Sequence, residues 1–305
     1  FEPSKPLELE SFYEKLEEIG TSIQVGEGDG IYRMHIHVPT NKRYEPIDYT
    51  MSLGTISKVH IENLMIQMDP GTGKQKEEPL KLAKITPEDI ALITISPGIG
   101  FSKIFASLGA AAIVEGGQTM NPSTQEILGA FEDLPTDQII ILPNNKNILM
   151  AAKSAAELSV KDVKVIPTVT VPQGLSAMLR LIPGQELDTI VEGMESAMKE
   201  IESGEITTAV RDVESDGIKV KEGEIISLHN GKLVGSNKTL EEGVLSFLES
   251  AKVADHELIT LFHGENVTPE EAQEMADMIE SKFPDQEVEL QFGGQPHYQF
   301  ILSIE

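Results

Sequence analysis

At 305 residues the chain is long enough for two or three hydrophobic cores and needs no covalent staples. Having no cysteine, it excludes disulfides, a thiolate nucleophile and thiolate-held metal within this segment. With 50 acidic against 24 basic residues its formal charge is −26, which argues against nucleic acid and anionic lipid as partners. No apolar run approaches the roughly 20 residues of a bilayer span. Phe1-Glu-Pro-Ser-Lys5 has no signal-peptide layout, so a cytoplasmic protein without stable membrane insertion is expected. The chain opens on Phe1 rather than methionine, as an internal piece of a longer protein would.

Residues 7–19 place Leu9, Phe12, Leu16 and Ile19 at helical spacing with carboxylates opposite, and Gly20 ends the helix. A strand over 22–25, a turn over 26–30, a strand over 31–38, a short helix over 49–54 and a strand over 63–68 follow. This order predicts a small α+β middle domain over 1–68, short of a first strand. Residues 69–87 concentrate breakers and charges and read as a linker. The fragment Gly71-Thr-Gly-Lys74 falls short of a phosphate loop, because Gln75 stands where Ser or Thr is required.

From Ala91 onward, short apolar runs at 91–96, 111–115, 138–142 and 163–167 alternate with helical segments at 100–108, 125–134 and 146–158. Runs without polar alternation predict a doubly wound parallel sheet over 88–172. Connecting helices over 173–205 include 187–202, with Ile190, Met194, Met198 and Ile201 in phase. A second α/β subdomain over 206–305 has strands at 207–213 and 217–221, an Asn230-Gly231 hairpin, a helix over 239–251 and a strand over 257–262. A well-capped helix from Thr268-Pro-Glu-Glu271, then strands over 286–292 and 298–304, complete it.

In an open parallel sheet, ligands sit beyond the carboxyl ends of the strands. Three turns converge on that edge: Ser96, Gly98 and Gly100; Glu115, Gly116, Gly117, Gln118, Thr119, Asn121, Ser123 and Thr124; and Asn144, Asn145 and Asn147. The edge is the candidate surface for a ligand or a partner. Asn121, Ser123 and Thr124 double as helix caps, so a capped crossover with polar trim stands beside the binding reading. A second edge comprises His263, Gly293, Gly294, Gln295 and His297.

In Met34-His-Ile-His-Val38 the strand period of two puts His35 and His37 on one face, where two imidazoles can share a zinc ion. Further ligands are required, and only distant carboxylates and His60 are at hand. Half-buried, hydrogen-bonded histidines are the alternative. Arg180 and Arg211 stand out in an arginine-poor chain. No serine elbow, zinc-protease helix, dinucleotide fingerprint or kinase set is present, so no catalytic residue is assigned and a binding or regulatory module is favoured.

Glu115-Gly-Gly-Gln-Thr-Met-Asn-Pro-Ser-Thr124, together with Met34-His-Ile-His-Val38, Val59-His-Ile-Glu-Asn-Leu-Met65, Leu142-Pro-Asn-Asn-Lys-Asn147, Val165-Ile-Pro-Thr168, Pro172-Gln-Gly174 and Gly293-Gly-Gln-Pro296, resembles the kinase subunit of bacterial fatty acid kinase, a dihydroxyacetone-kinase-related family. The resemblance runs over essentially the whole chain. It implies a middle and a C-terminal domain, with the ATP- and magnesium-binding kinase domain outside these residues. It further implies phosphorylation of a fatty acid presented by a carrier protein, for phospholipid synthesis. It implies zinc held by His35, His37 and a cysteine that lies outside this chain, and a C-terminal architecture similar to the fatty-acid carrier proteins themselves.

The expected role is therefore non-catalytic: docking of the fatty-acid carrier and support of a homodimer. An acyl-chain or small-ligand binding domain and a metal-dependent hydrolase at His35 and His37 are the alternatives.

Overall fold

The computed structural model describes residues 1–28, 31–59, 61, 80–215 and 217–305. The strand expected at 63–68, the fragment 71–74, His60 and residues 69–79 of the expected linker lie outside them.

The first region contains β1 (Glu2–Pro3), α1 (Leu9–Glu17), the antiparallel pair β2 (Thr21–Gly28) and β3 (Ile31–His37), α2 (Glu45–Leu53) and β4 (Gly54–Thr55). Phe12, Leu16 and Ile19 are buried and pack against Ile23, Val25, Met34 and Ile36 of the hairpin. Leu9, at the edge of that stripe, is exposed. Helix α2 starts earlier than the apolar pattern predicts, because Pro46 suits a first turn and Glu45 and Asp48 favour the helix N-terminus. Because β3 alternates, Met34 and Ile36 face α1 while Arg33, His35 and His37 face the rest of the molecule.

Next come β5 (Ala91–Ser96), α3 (Ile99–Ser107), β6 (Ala112–Glu115), α4 (Thr124–Gly129), β7 (Gln138–Leu142), α5 (Leu149–Leu158) and β8 (Asp162–Val165). The four strands are parallel in the order β6-β5-β7-β8. Both faces are covered, as the unbroken apolar runs require. Ala91, Ile93 and Ile95 pack with Ile127, Phe131 and Ala152 on one side. Leu92, Ile140 and Leu142 pack with Phe101 and Phe105 on the other.

Helices α6 (Val171–Met178) and α7 (Leu187–Glu200) lead to a second sheet. It is built from β9 (Glu202–Thr208), β12 (Ile225–His229), β13 (Lys232–Asn237), β14 (Leu258–His263), β15 (Glu287–Phe292) and β16 (Tyr298–Ile304), in the order β13-β12-β9-β16-β14-β15. A small pair, β10 (Val213–Ser215) and β11 (Ile218–Val220), stands beside it. Only β14 and β15 are parallel within the six-stranded sheet. Helices α8 (Leu240–Ser250) and α9 (Pro269–Lys282) cover one face through Val244, Phe247, Ala272 and Ile279. The other face meets the parallel-sheet half: Phe262 and Ile301 share a core with Phe101, Phe105, Met178 and Met194. The architecture is thus α/β, with a parallel sheet and a second, mixed sheet sharing one apolar layer.

Candidate functional site: the strand-end edge and the histidine face

The order β6-β5-β7-β8 reverses direction of growth at β5, so the crevice beyond β5 and β7 is where a doubly wound sheet offers a ligand its place. Here the chain itself fills that crevice. Asn144, in the left-handed conformation at φ 54°, is buried. Its Nδ2 donates to Thr94 Oγ1 at 2.8 Å and to the Ile95 carbonyl at 2.9 Å. Its Oδ1 accepts from Thr168 Oγ1 at 2.8 Å, and a Cβ on Gly174 would stand 2.0 Å from that oxygen.

From above, the two glycine turns press backbone on backbone. A Cβ on Gly98 would meet the Gly294 carbonyl carbon at 2.5 Å, and the Phe101 amide near the start of α3 donates to the Gly293 carbonyl at 3.1 Å. A helix N-terminus that could receive an anion is thereby capped by the second sheet. Ser96 is buried and its hydroxyl donates to the Gly98 carbonyl. The amides of Gly116 and Gly117 are also used, donating to the carbonyls of Ser96 and Met120.

What remains accessible is the rim. Thr119 Oγ1 and His297 Nε2 meet at 2.8 Å, tying the two expected edges together on the surface. Asn145 Nδ2 reaches Gln118 Oε1 at 3.3 Å, and the Asn147 amide folds back onto Asn145 Oδ1 at 2.8 Å. Ser123 is the N-cap of α4 in a reciprocal box with Glu126, which commits its side chain to the helix and leaves Thr124 in the first turn. Glu115 and Asn121 are exposed. Three apolar side chains stand out beside them: Ile99 is 49% exposed, Met120 54% and Met150 69%. His263 does not join this rim. It is buried, with Nδ1 against the Val267 carbonyl at 3.2 Å and its ring against Phe292, and burial lowers its pKa. Gln295 is buried and donates to the Phe262 carbonyl.

The two strand histidines lie on one face, as the period of two requires, with ring centroids 4.8 Å apart and Nε2 atoms 2.9 Å apart. That face is turned to the second sheet: His37 Nδ1 contacts Glu289 Oε1 of β15 at 2.9 Å. Burial, with lesser contributions from His37 and Arg33, holds the His35 imidazole down to about 3, so it is neutral. Neighbouring donors of the same hairpin reach the same sheet: Gln24 donates to both Glu305 oxygens, at 3.1 and 3.3 Å, and the Thr21 hydroxyl bonds Glu287. Burial raises the pKa of Glu287, with help from Glu289, and of Glu305. Among the described residues no group of three or more His, Cys, Asp or Glu side chains is placed to hold a metal ion.

Sequence reasoning passes over Arg33. Its guanidinium is buried and donates to the Leu181 carbonyl at 3.0 Å and to the Leu108 carbonyl at the end of α3. The available signal is an arginine two residues before the His-x-His pair, hence on its face. Of the arginines that do stand out, Arg180 lines a cavity of about 280 Å³ with Tyr13, Gln24, Glu200 and Glu305, and Arg211 is exposed.

Known proteins resemble this chain in both sequence and fold. Residues 2–70 match the middle domain, and residues 91–305 the C-terminal domain, of the FakA-like fatty acid kinase proteins. Protein YloV of Bacillus subtilis is 34% identical over 297 residues, 97% of this chain and 53% of that protein. Uncharacterized protein SH1689 of Staphylococcus haemolyticus is 36% identical over 298 residues, 97% of this chain and 54% of that one. The chain therefore spans about half the length of the curated relatives it matches. Among solved structures, the DegV family protein Cg2579 of Corynebacterium glutamicum superposes with a TM-score of 0.54 at 14% identity, covering 71% of this chain and 97% of that one. The dihydroxyacetone kinase of C. freundii gives 0.50 at 14% identity, covering 72% and 49%. No helix among the described residues is long and apolar enough to cross a membrane.

Proposed function

Because the chain belongs to the FakA-like family of fatty acid kinase proteins, with a fatty-acid-related role, we propose that it is the non-catalytic middle and C-terminal part of the kinase subunit of a fatty acid kinase. In this reading it docks the fatty-acid carrier protein and supports a homodimer. ATP and magnesium are handled by a kinase domain outside these residues, and the acyl phosphate formed there feeds phospholipid synthesis in the cytoplasm.

The observation that carries the docking role is the closed crevice with an accessible rim. The place where this fold would seat a small ligand is filled by Asn144 and by the Gly293 to Gln295 turn. Around it stand exposed Ile99, Met120 and Met150 and the amides of Gln118 and Asn145. Apolar side chains ringed by polar groups suit a protein surface better than a small solute. Titration of the chain with its own organism's carrier, by calorimetry, tests this. Binding is expected, weakened at least tenfold by a Met120→Asp, Met150→Asp double variant that leaves the melting temperature unchanged. A folded chain that binds no carrier overturns the docking role, and sedimentation tests the homodimer separately.

The acyl-chain alternative receives less support, because the layer between the sheets is packed by Phe101, Phe105, Met178, Met194 and Phe262. Mass spectrometry of lipid extracted from the native protein decides it. The hydrolase alternative receives less support from a histidine pair turned to a domain contact. Phosphatase activity lost in a His35→Ala, His37→Ala variant would restore it.

For zinc, the donors fit as part of a site: two imidazoles converge through Nε2, one of them held neutral, and nitrogen is a preferred zinc donor. His35 and His37 would hold the ion, with the remaining ligands from outside the described residues. Once those further ligands complete the set, the buried setting suits a structural ion that fixes the hairpin.

A further inference from the structure

We propose that Glu289 positions the zinc ligand His37 against its companion His35, so that loading the ion fastens the middle region onto the C-terminal sheet. This rests on the zinc reading of the histidine pair and adds a residue and a consequence to it.

The protonation pattern follows from the contacts. A carboxylate only accepts, so the contact at 2.9 Å between His37 Nδ1 and Glu289 Oε1 puts the ring proton on Nδ1. The Nε2 of a neutral His37 then carries its lone pair, and that atom points at His35 Nε2, 2.9 Å away. In the metal-free protein the two Nε2 atoms share one proton, contributed by His35. A cation entering there takes the place of that proton, which passes through solvent to Nδ1 of His35, so both rings stay neutral and both Nε2 atoms become donors.

Metal-bound histidines commonly give their other ring N–H to a carboxylate, which fixes the tautomer and the ring's direction. Glu289 is built for that task. Its side chain is only 10% exposed, against 18% for His37, so neither partner is free to swing into solvent.

The charge on this face points the same way. Glu287, Glu289 and Glu305 all receive the hairpin, and their partners Thr21, Gln24 and His37 are neutral hydrogen-bonding side chains or an imidazole. Among the described residues no lysine or arginine is ion-paired to them. A divalent cation there would stand near the Glu289 side chain, with Glu287 and Glu305 on the same face. Between the described residues a groove of about 780 Å³, lined by Thr21, His37, Glu287 and Glu289, gives it a path.

The ligands lie on β3 and their positioning carboxylate on β15, 252 residues further along the chain. Tightening the metal site consequently tightens the contact between regions, and by reciprocity docking of the regions raises metal affinity.

The experiment uses the intact protein, stripped of metal, with zinc as the probe. Zinc affinity is read by competition with a chromogenic chelator, and amide hydrogen exchange is followed over β3 and β15 with and without zinc. The unaltered protein is expected to take up zinc and to gain protection at both strands. Glu289→Ala is expected to bind roughly ten- to a hundredfold more weakly and to lose the gain at β15. Glu289→Gln, whose amide oxygen still accepts from Nδ1, is expected to recover part of the affinity. If Glu289→Ala binds zinc as tightly as the unaltered protein while the His35→Ala, His37→Ala variant does not, the positioning role is overturned and the zinc site stands. If the unaltered protein takes up no zinc, or the double histidine variant binds equally well, the zinc reading falls and the role of Glu289 with it.

Discussion

A Cβ placed on Gly100 would stand 1.9 Å from the carbonyl oxygen of Phe292, so the first turn of α3 and the end of β15 touch backbone to backbone. The obstacle is main chain, which cannot rotate away. Gly100→Ala should therefore destabilise the fold by about 3 kcal/mol. Gly129, where an added Cβ meets nothing within 4 Å, is the control. Gly129→Ala should be neutral or stabilising by about 0.5 kcal/mol. Urea midpoints of the two variants check the contrast.

Arg33 joins the hairpin to two carbonyls at the ends of helical segments, Leu108 and Leu181, and burial lowers its pKa. The substitution Arg33→Met keeps an aliphatic stem and removes both donors. A loss of about 3 kcal/mol is expected, since hydrogen bonds from a charged group to buried partners are the costly ones to lose. Arg33→Lys should recover less than half, because a single ammonium cannot span two carbonyls as a planar fork does. Thermal melts of the three proteins, with limited proteolysis between the regions, give the measurement.

Glu205 lies on the inner side of β9, and burial pushes its carboxyl up to about 7 from 4.5. Its ionisable neighbour Tyr298 is raised as well, by burial first and by Glu205 second. The folded state thus keeps a proton that the unfolded chain releases between about pH 4.5 and 7. Glu205 therefore lowers stability as pH rises through that window, by about 3 kcal/mol in all, and adds no further slope above it. Glu205→Gln should remove this component and be more stable than the unaltered protein at pH 8. Chemical denaturation at half-unit pH steps, compared between the two, isolates it.

Asn144 satisfies three partners at once, Thr94, Ile95 and Thr168. Asn144→Ala strands buried polar groups and should cost about 3 kcal/mol. Asn144→Asp turns a donor toward the Ile95 carbonyl into an acceptor, so its loss should be greater at pH 8 than at pH 4. Guanidinium unfolding of both variants at the two pH values is the check.

Much of the fold is legible in the sequence, and the illegible parts have identifiable causes. The parallel sheet declares itself because strands such as 138–142 are buried on both faces and so carry no polar alternation. Thr268 with Glu271 marks a helix start that local hydrogen bonding enforces. The residue pattern places strand β9 too late, at 207–213 instead of Glu202–Thr208, because Glu202-Ser-Gly-Glu205 looks like a polar turn. In the fold Ser203 bonds Thr170 across the sheet interface and Gly204 makes room for Phe247, so the polar letters serve packing.

At the site, the glycines at 98, 100 and 293 are visible in the sequence, but a glycine does not say what packs against it. The partner is the chain's own second sheet, a contact between positions nearly 200 residues apart. Period-two spacing places His35 and His37 together because that relation is local. Glu289 and the helix ends met by Arg33 are distant in sequence, and nothing local marks them.

The hairpin meets the C-terminal sheet through hydrogen bonds of Thr21, Gln24 and His37, and two helix ends through those of Arg33. Beside these polar contacts Gly26 packs against Leu179 and Ile182, so the seam is polar with an apolar margin. At a polar contact of this kind, water is a ready substitute for a lost partner.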